Sequence, residues 1–176
     1  MDISGRLRNS PRKDYTPAES VIQAAQIRAI LVGGSIAGAL DILFALIYAA
    51  VDDVGPVRLL QLVLSGLLGE SAYETGVVGA FLGLCVHFGL SYLWAAGFVT
   101  AASRFTRLVR IPVLSGALFG VVVFFGMRLV VLPLSAFPYP VSFRQPAATL
   151  DLLSHMFLFG VPIAVAAATA QRRLTR

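Results

Sequence analysis

Charge is what this chain has least of: Asp, Glu, Lys and Arg make up 13% of its 176 residues, where a soluble domain carries roughly 25%. That shortage excludes an ordinary water-covered globule, because too few polar side chains remain to cover one. A single cysteine, Cys85, excludes an intramolecular disulfide and any C-x-x-C redox or metal pair. Its place inside an apolar run marks it as a packing residue. No H-E-x-x-H helix, P-loop or serine-nucleophile elbow occurs, so a soluble-type hydrolase or NTPase has no support. Segments of about 10 residues with alternating polarity, the mark of an outer-membrane barrel, are also missing.

What is present is apolar. Hydrophobic residues are 57% of the chain and the mean hydropathy is +0.82. A spanning helix needs about 20 mostly apolar residues at about 1.5 Å rise to cross about 30 Å of hydrocarbon. Four runs qualify, over residues 29–51, 76–101, 112–132 and 149–170. They predict an all-α fold, a four-transmembrane-helix bundle over residues 29–171. Residues 1–28 and 172–176 are expected as tails, the first twenty flexible at the membrane surface. The first run starts too late and is too long for a secretory leader, so it is read as a retained span.

Basic residues predict the orientation. Arg6, Arg8, Arg12, Lys13 and Arg28 precede the first span, Arg104, Arg107 and Arg110 join the second to the third, and Arg172, Arg173 and Arg176 follow the fourth. The opposite loops hold Arg58 and Arg144 beside Asp52, Asp53, Glu70 and Glu74. Both termini are expected in the cytoplasm. The net charge of +5 reads as anchoring to anionic lipid headgroups, not as nucleic-acid binding, because the basic residues hug the span ends. In the first outer loop, Pro56–Leu68 is expected as a short interfacial helix, or as a cap across the bundle mouth. In the second, Phe137 and Tyr139 stand among prolines and suit the headgroup boundary.

Glycines four apart, Gly34 with Gly38, Gly79 with Gly83 and Gly116 with Gly120, predict close helix packing in lipid, either within one chain or between chains. Ionisable groups inside spans are costly and find partners. Counting about 1.5 Å per residue from the span ends places Asp41 about 18 Å above the inner boundary and His87 about 16 Å below the outer one, both near the midplane. The same count sets Arg128 and His155 in a shallower layer, roughly 6–9 Å below the outer boundary. An Asp41–His87 pair with Ser91 beside it is expected in the first layer. In the second, Asp151 lies one turn before His155, and an Arg128–Asp151 or Arg128–His155 contact is expected. The two histidines are also candidate axial ligands of a b-type haem, although their expected depths differ by about 7 Å.

The segments His87-Phe88-Gly89-Leu90-Ser91-Tyr92-Leu93-Trp94-Ala95-Ala96-Gly97-Phe98, Leu132-Pro133-Leu134 and Leu153-Ser154-His155 resemble the pattern of the YagU-like bacterial inner-membrane proteins. The likeness covers roughly the last three spans. The first span and Pro56–Leu68 depart from the pattern, so Asp41 draws nothing from it. The resemblance implies a small protein of the bacterial cytoplasmic membrane and gives weight to His87 and His155; it carries no activity with it. The leading expectation is a non-enzymatic bundle that binds a partner or an amphipathic ligand, without a cofactor. Membrane lipids, a second copy or another membrane protein are its expected partners. A proton-coupled transporter using Asp41 and His87, and a haem b anchor subunit, are the alternatives.

Overall fold

Helix α1 (Pro17–Val51) begins twelve residues before the first predicted span position. A capping box starts it: Thr16 Oγ1 accepts from the Glu19 N–H at 3.3 Å and Glu19 Oε2 accepts from the Thr16 N–H at 2.8 Å, satisfying two donors that helix geometry leaves open. Pro17 follows in the first turn, where a missing N–H costs nothing. At about 1.5 Å per residue α1 is about 52 Å long, well beyond about 30 Å of hydrocarbon, so the helix outlasts its apolar run. The computed structural model describes residues 16–174. Most of the expected N-terminal tail, with Arg6, Arg8, Arg12 and Lys13, and also Arg176, lies outside the described residues.

After α1 come α2 (Pro56–Leu68), a 3₁₀ segment (Gly69–Glu74), α3 (Gly76–Arg104) and the one-turn α4 (Arg107–Arg110). Helices α5 (Pro112–Leu134) and α6 (Ala147–Leu174) complete the chain. Four helices, α1, α3, α5 and α6, are long and apolar enough to cross a membrane, and no strand occurs among the described residues. The fold is therefore an all-α four-span bundle. Its terminal end holds the start of α1, α4 and the end of α6; its loop end holds α2 and the connection from α5 to α6. Large apolar side chains such as Phe81, Leu93 and Leu118 remain exposed around it, a surface far larger than water tolerates but natural against lipid tails.

Small residues set the packing. Ala37, Ala95, Ile163 and Ala164 are fully buried where α1, α3 and α6 meet. Helices α5 and α6 approach so closely that a Cβ at Gly120 would overlap the carbonyl of His155, and one at Gly160 the carbonyl of Gly116. Gly116 in turn faces Gly160 and Val161, Gly34 faces Tyr92, Gly38 faces Phe88 and Ser91, Gly79 faces Leu64 and Thr75, and Gly83 faces the Leu60 carbonyl. All six predicted packing glycines thus meet groups of this same chain.

Helix α2 does not lie alone at the surface. Leu60 meets Gly83 and Leu64 meets Gly79, so α2 runs back along the first turns of α3, and Gln61 Nε2 donates to the Gly76 carbonyl at 3.0 Å. The α5–α6 connection is stitched over it by the Ala136 N–H, which donates to the Gly66 carbonyl at 2.9 Å. Phe137 and Tyr139 pack edge-on and Tyr139 leans on Tyr73. Burial pushes the Tyr73 phenol up from its ordinary range, and Arg58 stacks 3.5 Å over that neutral ring.

Two spans contain π-helical turns, Met127–Val131 in α5 and His155–Gly160 in α6. The Leu132 N–H reaches back to the Met127 carbonyl and the Val161 N–H to the Met156 carbonyl, each five residues earlier. Such turns are rare and recur at functional sites. Here each contains an intramembrane ionisable residue, Arg128 in one and His155 in the other.

Candidate functional site in the membrane interior

Arg128 and Asp151 form the firmest polar contact between spans. Arg128 Nη2 donates to Asp151 Oδ2 at 2.7 Å, one of the two contacts expected from the sequence. Arg128 Nη1 donates to the Ser142 carbonyl at 2.6 Å, tying the α5–α6 connection to the site. Its guanidinium also lies over the rings of Phe124 and Phe143, at 4.8 and 5.5 Å, and its Nε is buried with no hydrogen-bond partner. A cation enclosed in this way needs its carboxylate.

Around His155 the arrangement departs from expectation. His155 Nδ1 donates to the Asp151 carbonyl at 2.9 Å and lies 3.2 Å from Asp151 Oδ1 and 4.0 Å from Asp41 Oδ1. Three oxygens around Nδ1 put a proton on that nitrogen, and in the neutral ring Nε2, with no hydrogen-bond partner among the described residues, is then the acceptor. Asp41 Oδ1 accepts from Ser154 Oγ at 3.0 Å. Asp41 and His155 are close to equally enclosed, at 15% and 14% side-chain exposure.

The expected Asp41–His87 pair does not form. His87 Nε2 donates instead to the Gly38 carbonyl at 2.9 Å, and Ser91 Oγ donates to the Gly34 carbonyl at 2.7 Å. Ser91 therefore sits beside the α1 backbone and not beside a carboxylate–imidazole pair. The physical reason is the missing side chain at Gly34 and Gly38, which lets α3 come near enough for its polar groups to bond the α1 backbone directly. Asp41, three residues on, is turned toward α6.

The two expected layers also merge into one cluster of Asp41, Arg128, Asp151, Ser154 and His155. The fourth span, α6, begins at Ala147, two residues before its expected start, which sets His155 deeper and nearer the level of Asp41. Counted from the loop end, Asp41 is ten residues before Val51 and His155 eight after Ala147, depths of about 15 and 12 Å. Ser154 was missed by the sequence reading. Its signal was there: a hydroxyl three residues after Asp151, on the face that carries the acid.

A cavity of about 600 Å³ opens on this cluster, within the range of small-molecule sites. Its lining includes Asp41, His87, Arg128, Asp151 and His155, together with Leu59, Leu62 and Val63 of α2, Met127 of α5 and Phe137 and Tyr139 of the connection. Both histidines thus face one space, although each ring is anchored through one nitrogen. Among the described residues no group of three or more His, Cys, Asp or Glu is arranged to hold a metal ion. A second groove of about 660 Å³ at the terminal end is lined by apolar side chains with Gln26, Ser103 and Gln171 and carries no ionisable group. Ionisable side chains line the first cavity and not this groove. The chain matches no family model, no curated protein and no solved structure.

Proposed function

We propose that this membrane protein binds an amphipathic small molecule, its head against the Asp41–His155–Arg128 cluster and its apolar body along α2 and Met127. The observation that carries this reading is the cavity itself, in which convergent polar groups face an apolar and aromatic wall. We place the protein in a bacterial cytoplasmic membrane with both termini inside, on the basic residues at its terminal end and on its YagU-like segments. Mass spectrometry of extracts from protein purified in mild detergent tests the reading: an amphipathic molecule near-stoichiometric with the wild type and depleted in Arg128→Leu supports it, and an empty cavity in both defeats it. A visible spectrum of the same sample, oxidised and reduced, tests the haem b alternative through a Soret band lost in His87→Ala or His155→Ala. Crosslinking in intact membranes tests the partner-binding one.

A proton-relay reading draws on one specific contact, the 4.0 Å separation of His155 Nδ1 and Asp41 Oδ1. Intramembrane carboxylate–histidine chains move protons, and here the chain is Asp41–His155–Asp151 in place of Asp41–His87. Proton flux in proteoliposomes that survives Asp41→Asn and His155→Ala unchanged would remove it.

A further inference from the structure

With both histidines neutral, charge around the cavity does not balance. Asp41 on α1 and Asp151 on α6 supply two carboxylates, Arg128 on α5 supplies the one fixed cation, and His87 on α3 and His155 on α6 add charge only when protonated. Helix α2 contributes only apolar groups to the lining and the connection contributes the Tyr139 phenol; Arg58 does not line the cavity. Arg128 is committed to Asp151 and to the Ser142 carbonyl. The Nδ1 proton of His155 is committed to Asp151, while Asp41 receives one neutral hydroxyl, from Ser154. The surplus negative charge therefore rests on Asp41, in a span where an uncompensated carboxylate is costly. Two things neutralise it: a proton taken up by the Asp41–His155 pair, or a cation arriving through the cavity.

We propose that the ligand of this cavity is a lipophilic monocation, an alkyl chain headed by an ammonium group, and that it competes with a proton for the Asp41–His155 pair. This rests on the ligand-binding reading above and names its chemical class. An ammonium head meets Asp41 and can donate to the bare Nε2 of His155, while its chain follows Leu62 and Met127. A neutral alcohol gains the bond to Nε2 but leaves the Asp41 charge uncompensated. A carboxylate or phosphate head adds a second uncompensated negative charge beside the first. When His155 takes up a proton it becomes the internal partner of Asp41, and the attraction for an external cation is lost.

The test uses the full chain in zwitterionic lipid nanodiscs, titrated with dodecylammonium, dodecanol and dodecanoate, with empty nanodiscs subtracting partition into lipid. Dodecylammonium is expected to bind about tenfold or more tighter than dodecanol at about pH 8, with dodecanoate weakest, and to weaken by about tenfold at about pH 6. Asp41→Asn is expected to erase the cation preference while dodecanol still binds, and His155→Gln to keep the preference but flatten its pH dependence. Head-blind binding, or a preference for the alcohol or the carboxylate, overturns the cation assignment and leaves the ligand-binding reading standing. Saturable binding of none of the three defeats both. Where Asp41→Asn does not fold, the wild type against His155→Gln decides, and an ammonium affinity independent of pH overturns the proposal.

Discussion

His155 Nδ1 stands 4.0 Å from Asp41 Oδ1, joining the fourth span to the first at a level where both side chains are largely enclosed. The contact is completed on one side by Ser154, which donates to the same Asp41 oxygen, and on the other by Asp151, which holds the ring. Removing any one of these groups therefore changes what the others must do.

Arg128→Leu or Asp151→Leu alone leaves the opposite charge without its partner. Breaking a buried pair costs several kcal/mol, and partial exposure, 20% at Arg128 and 34% at Asp151, reduces that to about 1–3 kcal/mol. The double variant Arg128→Met with Asp151→Leu is expected to recover most of the loss, read as non-additivity in thermal or denaturant unfolding in detergent. Strictly additive losses would mean that the pair contributes through separate contacts.

Gly120→Ala is expected to destabilise the bundle by about 1–3 kcal/mol, because the new Cβ drives α5 off the His155 backbone. Gly97→Ala on α3, where a Cβ meets nothing within 4 Å, is expected to stay within about 0.5 kcal/mol of wild type. Unfolding curves for the two variants side by side check this, and equal effects would contradict the packing described.

Ser91 and Ser154 are both buried serines with different burdens. Ser91→Ala loses one bond to a backbone carbonyl that is already part of a helix, an expected cost of about 0.6 kcal/mol, with no change in ligand or proton handling. Ser154→Ala strips Asp41 of its one hydrogen-bond donor and is expected to alter dodecylammonium affinity, or proton flux, without matching loss of stability. Binding and melting measurements on both variants separate the roles.

Orientation is testable because the chain has one cysteine to remove. In a Cys85→Ser background, Asp53→Cys is expected to react with a membrane-impermeant maleimide on intact cells. Thr106→Cys in the same background is expected to react only after permeabilisation. The reverse pattern would invert the proposed topology.

Composition determined that this chain is a four-span helical bundle, because the free energy of placing a segment in hydrocarbon sums over its own residues and needs no knowledge of neighbours. The Arg128–Asp151 contact was legible for a related reason: Asp151 and His155 share a helix face by spacing alone, and Arg128 lies at a similar depth counted from the same end. What the tertiary structure decided is which way each helix turns and how far it slides. A polar side chain's partner depends on rotation about the helix axis, set here by the glycine contacts that bring α3 onto the α1 backbone and α5 onto α6. That rotation gave His87 to a Gly38 carbonyl and Asp41 to Ser154 and His155. The π-turns at Arg128 and His155 carry no marker in the sequence, since any apolar segment can adopt one when packing favours it. The cavity exists only because α2 and the α5–α6 connection fold over the cluster, a long-range arrangement that no local pattern of residues encodes.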